Sequence, residues 1–428
     1  MTSTGSSSSA PPDAPAPARA ELVIGLTTYN SAGLLDAAAD ALSWAVNGGF
    51  GGVTSRVVLV DGGSTDGTAD RVRALVGPER LLALEYPVTS ADLLAQPHHG
   101  VPGRLRAVER ILREAQDAEA RACVLVDPAA CGSGVEWLRF LTEPVLRGEA
   151  DFVAGIQARH AYAGALVKGI LAPVFRAVYG KQLRQPMADT YAVSGRLLGH
   201  YLAEAHWRAN GSTPPVDVRL PAIAACDGFT LAEASLGARV REGRDGPDLT
   251  AALSQLAGAL FTELERRPDT WQRVRRSVPV TTYGALTADE PPPPSINAER
   301  LAERFRLGWR ELRDVWALVL PPVASVELKK LSDAPLARFR FDDGLWARVI
   351  YDYAIAHRLR ALAREHLLPS LVPVYLGWFA SFVLATETAG SAEADRRLER
   401  LGDVFEQEKP YLISRWRWPE RGGQGSRA

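Results

Sequence analysis

The sequence predicts a doubly wound α/β domain with a mostly parallel sheet, followed by a C-terminal α-helical domain. From residue 21 onward, apolar segments of strand length alternate with segments of helical periodicity. Strands that are apolar throughout are typical of a parallel sheet covered on both faces. The proline-rich segment "ADEPPPPS" at 288–295 interrupts both kinds of element. Beyond it the pattern is helical, and six of the ten tryptophans lie there.

The elements alternate regularly in the first part of the chain. The predicted strands are "ELVIGLTTYN", "RVVLVD", "LLALEY", "ACVLVD" and "DFVAGIQ". Helices are expected at 31–46, where apolar residues recur at helical spacing after a capping residue, and at 68–76, 103–115 and 133–146, the third of them after a long loop. The middle adds helices at 164–180, 194–209 and 248–266, and one strand, "FTLAEAS". The predicted organisation is therefore a tail at 1–20, a sheet domain at 21–290 and a helical domain at 291–428.

Composition excludes some classes of function. The chain is 46% hydrophobic and 23% charged with a formal net charge of −1, so it lacks the basic excess expected of a nucleic-acid-binding protein. Its three cysteines form no C-x-x-C pair, which favours a reduced, cytoplasmic compartment. Residues 1–20 are rich in Ser, Pro and Ala and contain no apolar core, so we expect a disordered tail rather than a signal peptide.

One apolar segment, "LLPSLVPVYLGWFASFVLAT" at 367–386, is long enough to cross a bilayer. Two prolines interrupt its first turns and leave a shorter continuous helix. We therefore expect a buried core helix. A membrane span and an interfacial or partner-binding helix are the alternatives.

Two aspartates, Asp61 and Asp127, each end a predicted strand. The carboxyl ends of parallel strands form the ligand crevice of an open α/β sheet, so both should face the same edge. The alternative for each is a helix-capping or turn-forming aspartate. The glycines follow the second strand rather than the first, and the chain contains no G-x-G-x-x-G after the first strand and no P-loop. This pattern argues against a dinucleotide-binding sheet.

The combination of "TTYN" after the first strand and "VDGGSTDGT" after the second resembles the nucleotide-sugar-binding half of family 2-type glycosyltransferases of the GT-A fold. Blocks at 184–198, 214–237 and 340–359 are similar to the mannosylglycerate synthases, retaining enzymes that move a hexose from a nucleotide diphosphate sugar to a small hydroxy acid such as glycerate. The resemblance covers roughly residues 21–418. It implies a donor half at 21–157 and an acceptor half at 158–290.

The resemblance also implies roles for individual residues. Asp61 accepts a hydrogen bond from the base, and Arg104 begins a helix after the Gly-rich turn of "GVPGRLRAV". A helix N-terminus and a guanidinium both suit a diphosphate. The implied donor-binding residues are Thr28, Tyr29, Asp61, Gly62, Gly103, Arg104 and Gln185. The implied catalytic residues, for which helix caps or surface charges are the alternative, are Asp127, Asp189 and Asp217.

The sequence departs from the family at the metal site. The family holds a divalent cation, Mg²⁺ or Mn²⁺, through an Asp-x-Asp after the fourth strand and a later histidine. Here Asp127 is present, but Ala129 stands at the second position and Ala238 where the histidine is expected. Three alternatives are open. In the first, Asp127 and water hold a weakly bound metal. In the second, an arginine neutralises the diphosphate, namely Arg239, Arg241 or Arg244. In the third, the protein is a catalytically silent relative.

These observations predict a cytoplasmic hexosyltransferase that uses a UDP- or GDP-linked sugar and a small hydroxylated acceptor. The resemblance to the mannosylglycerate synthases implies retention of configuration. The alternative is a non-catalytic nucleotide-sugar-binding or scaffold protein. A nucleotidyltransferase would carry a Gly-rich, Lys-containing loop after the first strand, which "TTYNSAGLL" lacks. The expected partners are small molecules, and the aromatic C-terminal domain is a candidate homodimer interface.

Overall fold

The predicted doubly wound sheet is present. The computed structural model describes residues 19–95, 100–204, 216–238, 248–285 and 294–417. Its strands are β1 Leu22–Thr28, β2 Ser55–Asp61, β3 Leu81–Glu85, β4 Ala122–Val126, β5 Phe152–Ala158, β6 Lys181–Gln182, β7 Tyr191–Ser194, β8 Leu231–Ala238, β9 Val278–Pro279 and β10 Thr281–Tyr283.

Helices cover both faces of this sheet and form the C-terminal region. Those of the first 285 residues are α1 Asp36–Trp44, α2 Thr68–Val76, α3 Ser90–Leu94, α4 Arg104–Asp117, α5 Glu136–Leu146, α6 Ala172–Tyr179, α7 Gly195–Ala203, α8 Val216–Cys226, α9 Leu249–Arg266 and α10 Pro268–Trp271. The C-terminal ones are α11 Ala298–Val319, α12 Pro322–Asp333, α13 Asp343–Leu359, α14 Arg364–Ser370, α15 Val372–Thr386 and α16 Ser391–Arg417.

The main sheet has eight strands in the order β10-β8-β5-β7-β4-β1-β2-β3. All seven residues of β1 are buried, because the strand is covered on both faces. The sheet is parallel except at β7, which runs antiparallel to both β4 and β5. The predicted fold class, a mostly parallel doubly wound sheet with a C-terminal helical region, is confirmed.

Two elements near the centre were absent from the sequence prediction. Strand β7 has only four residues and follows a polar stretch, so it lacks a long apolar run. Helix α8 carries an internal Pro221 and is buried nearly all round, so it shows no amphipathic stripe. Both omissions matter for the site, because β7 lies between two strands that face the crevice and α8 carries Asp217.

The apolar segment at 367–386 is a buried core helix, as predicted. Helices α14 and α15 together form a stretch long and apolar enough to cross a membrane, and 83% of its most apolar window is buried inside the protein. Pro373 lies in the first turn of α15, where a missing backbone N–H is tolerated.

The C-terminal helices share a core with the sheet domain. Trp346 of α13 donates from Nε1 to the carbonyl of Gly169 at 2.9 Å, and its ring stacks on Trp378 of α15 with centroids 5.3 Å apart. A Cβ on Gly169 would lie 2.3 Å from the Trp378 ring, so only glycine admits this approach. The linker predicted at 288–295 and the tail at 1–20 lie almost wholly outside the described residues.

Candidate functional site

The crevice lies where the strand order reverses. Strand β1 is flanked by β2 on one side and β4 on the other, with Thr28 opposite Asp61 and Leu26 opposite Val126. Connections from β1 and β4 leave in opposite directions at this point, which is where open α/β sheets bind their ligands. Asp61 and Asp127 therefore reach the same edge of the sheet from either side of β1, as predicted.

Asp61 holds the turn that follows β2. Its Oδ1 accepts from the Thr28 hydroxyl at 2.5 Å and from the Ser64 hydroxyl at 2.6 Å. Its Oδ2 accepts from the backbone N–H groups of Gly63 and Ser64 at 3.0 and 2.6 Å. These donors account for the roughly four acceptor positions of a carboxylate. A base can therefore bond to Asp61 only by replacing one of the two hydroxyls.

Tyr29 and Gly62 lie together beside this turn. A Cβ on Gly62 would lie 2.9 Å from Val88, 3.0 Å from the Tyr86 hydroxyl and 3.2 Å from the Tyr29 ring. Because Gly62 has no side chain, the turn after β2 can pack closely against the side chains of Tyr29 and Tyr86, which together form an aromatic wall. Tyr86 in turn donates to the carbonyl of Pro102 at 2.5 Å, which ties this wall to the loop before α4.

Arg104, the first residue of α4, is the centre of a buried charge cluster. Its Nη2 lies 3.2 Å from Asp217 Oδ1 and donates to the carbonyl of Asp189 at 2.7 Å. Its Nη1 lies 3.6 Å from Asp127 Oδ2. The side chains of Arg104, Asp127 and Asp217 are at most 5% exposed. The structure thus brings together four residues that the sequence prediction placed at the site.

The electrostatics of this cluster keep Arg104 charged. Burial disfavours the guanidinium, but Asp217, Tyr191 and Asp127 outweigh it and raise the pKa of Arg104 above its ordinary value. Burial, together with the charge of Asp217, raises the pKa of the Tyr191 hydroxyl well above its usual range. Tyr191 therefore stays a neutral phenol beside the ion cluster.

Asp189 joins this cluster to a neighbouring cavity. Its carboxylate lies 3.9 Å from Arg159 Nη2, and Arg159 also donates to the side chain of Gln157. Arg159 lines a cavity of about 680 Å³ between the end of β5, Glu233 of β8 and helices α6 and α16. Gln185 also lines this cavity and bonds to the backbone of Gln157 at 3.3 and 3.4 Å. The donor-binding role of Gln185 stays a prediction.

The residues around Asp127 do not fit a divalent cation. Asp127 Oδ1 accepts from the Ala129 N–H at 2.9 Å and caps the following turn, while Oδ2 faces Arg104. Mg²⁺ and Mn²⁺ need several oxygen ligands around one point, and Ala129 offers no side-chain oxygen. The metal role predicted for Asp127 therefore does not match its surroundings.

Ala238 ends β8, and the predicted arginines Arg239, Arg241 and Arg244 lie outside the described residues.

Within the described ranges, one group of metal-ligating side chains approaches closely, namely His200, Glu204 and Asp227. Asp227 bonds to His200 at 2.7 Å and pairs with Arg267. Glu204 pairs with the same arginine at 3.1 Å. Arg267 therefore supplies the positive charge that these carboxylates require.

Several site residues were missed by sequence reasoning. Tyr191 lies on the unpredicted strand β7, and Arg159 directly follows β5. Glu233 had a visible signal, since it is a charged residue inside the apolar strand β8. Glu233 lines the cavity, is 1% exposed and accepts from the backbone N–H of Arg184 at 2.5 Å.

Glu233 should make stability depend on pH. Burial raises the pKa of its carboxyl to about 7, so the folded chain keeps a proton that the unfolded chain loses near pH 4.5. Stability from this group is full below pH 4.5 and is lost as the pH rises through 7. We expect Glu233→Gln to be more stable relative to wild type at pH 8 than at pH 4, by about 1–3 kcal/mol.

Urea denaturation of both proteins across this range measures the difference. The control is Glu85→Gln at the exposed end of β3, which makes the same substitution at an exposed carboxyl. A difference for Glu233→Gln that does not change with pH would show that the Glu233 carboxyl takes up its proton at the same pH in the folded and unfolded chains.

Several solved structures have parts that resemble the fold of this chain. No family model and no curated protein matches the chain. Among solved structures, glucosyl-3-phosphoglycerate synthase from Mycobacterium tuberculosis is 20% identical, with a TM-score of 0.41 over 58% of this chain and 80% of its own. Mannosyl-3-phosphoglycerate synthase from Rubrobacter xylanophilus is 17% identical, with a TM-score of 0.40 over 60% and 77%. The mannosyltransferase PcManGT from Pyrobaculum calidifontis is 15% identical, with a TM-score of 0.38 over 96% and 92%.

Two of these three structures contain bound ligands. The Mycobacterium enzyme was crystallised with Mn²⁺, UDP and glucosyl-3-phosphoglycerate, and the Pyrobaculum enzyme with GDP-Man and Mn²⁺. At such low identities and TM-scores, the function of this chain has to be argued from its own residues.

Proposed function

We propose that this protein is a glycosyltransferase that moves a hexosyl group from a UDP- or GDP-linked sugar to a small hydroxylated acceptor. One observation carries the proposal. The glycine-rich turn held by Asp61 and the charge cluster around Arg104 lie on either side of β1, at the reversal of strand order. The first side offers an aromatic wall for a nucleoside, and the second offers the partly exposed Arg159 and Asp189, beside the buried cluster, for a phosphorylated sugar.

The nucleoside is held by the ends of β1 and β2. Tyr29 is half-buried beside Gly62, so its ring is available to a base or ribose. Thr28 is fully buried and donates to Asp61. Thr28 therefore positions Asp61 and the turn, and the contact with the base comes from the turn itself and from Tyr29.

The sugar and acceptor meet near Asp189. Asp189 is partly exposed, and its side chain lies between the Arg104 cluster and the cavity lined by Arg159. An acceptor with a carboxylate, such as glycerate, would find the guanidiniums of Arg159 and Arg184 in that cavity. Asp189 is then placed to accept a hydrogen bond from a hydroxyl, which orients the acceptor towards the sugar.

The chemistry requires positioning more than a strong nucleophile. The acceptor oxygen forms a bond to the anomeric carbon while the bond to the diphosphate breaks, and the hydroxyl proton leaves with the diphosphate. Preorganised positive charge stabilises the departing diphosphate, and Arg159 is the partly exposed guanidinium at this edge. Retention of configuration is expected from the resemblance to mannosylglycerate synthases.

A second candidate function is a non-catalytic nucleotide-sugar-binding protein. It is favoured by Ala129, which removes the second carboxylate of the expected Asp-x-Asp pair. We propose a cytoplasmic location for either function, since Cys123, Cys131 and Cys226 are all free thiols. A homodimer stays a prediction.

Transfer assays on matched variants separate the two functions. Calorimetry with UDP, GDP and their glucose and mannose conjugates identifies the donor, and NMR of the anomeric proton follows transfer to glycerate. Asp189→Asn should lower kcat/KM by tenfold or more, about 1.4 kcal/mol, because the amide accepts a hydroxyl less well than the carboxylate. Binding of a donor by wild type without hydrolysis or transfer would favour the non-catalytic alternative.

The control for this prediction is Asp36→Asn, which removes half of an exposed ion pair between Asp36 of α1 and Arg71 of α2. It should leave both the melting temperature and the transfer rate unchanged. An equal loss of transfer in both variants would exclude a specific role for Asp189.

A further inference from the structure

The position where a cation would be expected is already filled by a side chain. Arg104 reaches the carboxylates of Asp127 and Asp217 at 3.6 and 3.2 Å through its two terminal nitrogens. Its side chain is 1% exposed, so it cannot leave the cluster without opening the protein. A guanidinium that bridges two carboxylates supplies the charge compensation that a bridging metal ion supplies in other sites.

A divalent cation could not be added to this arrangement. A hard cation binds carboxylate oxygens at about 2.0–2.6 Å, so an ion shared by Asp127 and Asp217 would lie against the guanidinium of Arg104. Two positive groups in a site from which water is excluded repel strongly. Asp127 is also committed elsewhere, since its other oxygen caps the turn at Ala129.

We propose that Arg104 is a built-in cation that replaces the metal ion, and that nucleotide binding by this protein is independent of divalent metals. The inference deepens the proposed function and rests on it for the identity of the ligand. Asp127 and Asp217 are then positioning residues, which hold Arg104 and touch neither a metal nor the reacting atoms. Arg104 thus occupies the place of the metal ion between the two carboxylates, whereas the diphosphate itself is met by the partly exposed Arg159.

Mn²⁺ itself is the first probe. Electron paramagnetic resonance of MnCl₂ added to the full chain reports binding through loss of the free-ion signal. The Asp227→Asn background removes the surface group with His200 and Glu204, which could hold Mn²⁺ on its own. In this background we expect no bound Mn²⁺. A bound ion that is lost again in Asp127→Asn would overturn the proposal.

Arg104 variants give a positive test of the same idea. In Arg104→Gln the two carboxylates lose their cation, so this variant should bind one Mn²⁺ per chain and lose it again when Asp217→Asn is added. Arg104→Lys keeps the charge and should bind none. An Arg104→Gln protein that is folded by circular dichroism but takes up no Mn²⁺ would contradict the proposal. Should that variant fail to fold, the wild-type and Arg104→Lys titrations still decide it.

Nucleotide affinity separates this inference from the proposed function. Calorimetry with UDP and with GDP should give the same Kd in EDTA and in MgCl₂, within about twofold. A Kd that tightens tenfold or more with Mg²⁺, about 1.4 kcal/mol, would overturn metal independence while supporting the nucleotide site. If neither nucleotide binds in either buffer, the proposed function fails, and the Mn²⁺ titrations alone decide whether Arg104 excludes the metal.

Discussion

Replacing Arg104 with methionine should lower the free energy of unfolding by about 3–5 kcal/mol, because it leaves buried carboxylates without their cation. The side chains of Asp127 and Asp217 are 5% and 0% exposed, so water cannot solvate these carboxylates in place of the guanidinium. The variant also loses the hydrogen bond to the Asp189 carbonyl. Guanidinium chloride denaturation followed by circular dichroism measures the loss.

A neighbouring arginine provides the control for this prediction. Arg106 lies on the same helix with 42% of its side chain exposed and pairs with Asp92. Arg106→Met should cost less than about 1 kcal/mol, as exposed ion pairs do. Adding Asp217→Asn to Arg104→Met should restore part of the lost stability, since one uncompensated charge is removed. Equal losses in the Arg104 and Arg106 variants would mean that the buried carboxylates are not ionised.

Asp61→Ala should abolish measurable nucleotide binding and lower the free energy of unfolding by about 2–4 kcal/mol. The carboxylate accepts two backbone and two hydroxyl hydrogen bonds from the turn and from β1. Without it, the turn that supports Gly62 and faces Tyr29 loses its anchor. Calorimetry with UDP and GDP measures binding, and urea denaturation measures stability.

Asp70→Ala is the matched control for this prediction. Asp70 is 82% exposed at the side chain and pairs with Arg73 within α2. Its removal should leave nucleotide affinity unchanged and cost less than about 1 kcal/mol. If Asp61→Ala bound nucleotide as well as Asp70→Ala does, the turn after β2 would not belong to the donor site.

Ser64→Ala separates two roles of Asp61. It removes the hydroxyl that bonds to Oδ1 but keeps the Ser64 N–H bond to Oδ2. One acceptor position of Asp61 becomes available while the turn keeps its backbone anchor. Tighter nucleotide binding would assign Asp61 a direct contact with the base, and weaker binding would assign it the support of the turn alone.

The sequence by itself determined the sheet, the crevice edge and the approximate positions of Asp61 and Asp127. These features depend on local properties, namely apolar runs of strand length, helical spacing and the residue at which each strand ends. Parallel strands with helical crossovers can be arranged in few ways, so the ends of β2 and β4 had to meet near β1. The buried helix at 367–386 was predictable for the same reason, since its two prolines and its length are local facts.

Only the tertiary structure decided what the aspartates contact. Arg104, Asp127, Asp189 and Asp217 are far apart in the chain, and helix α8 and strand β7, which bring two of them in, show no periodicity that would reveal them. The resemblance to the family's metal motif therefore implied a metal at Asp127, whereas packing placed a guanidinium there. The partner of a buried charged side chain depends on which opposite charge the fold packs beside it. No local sequence pattern encodes that partner.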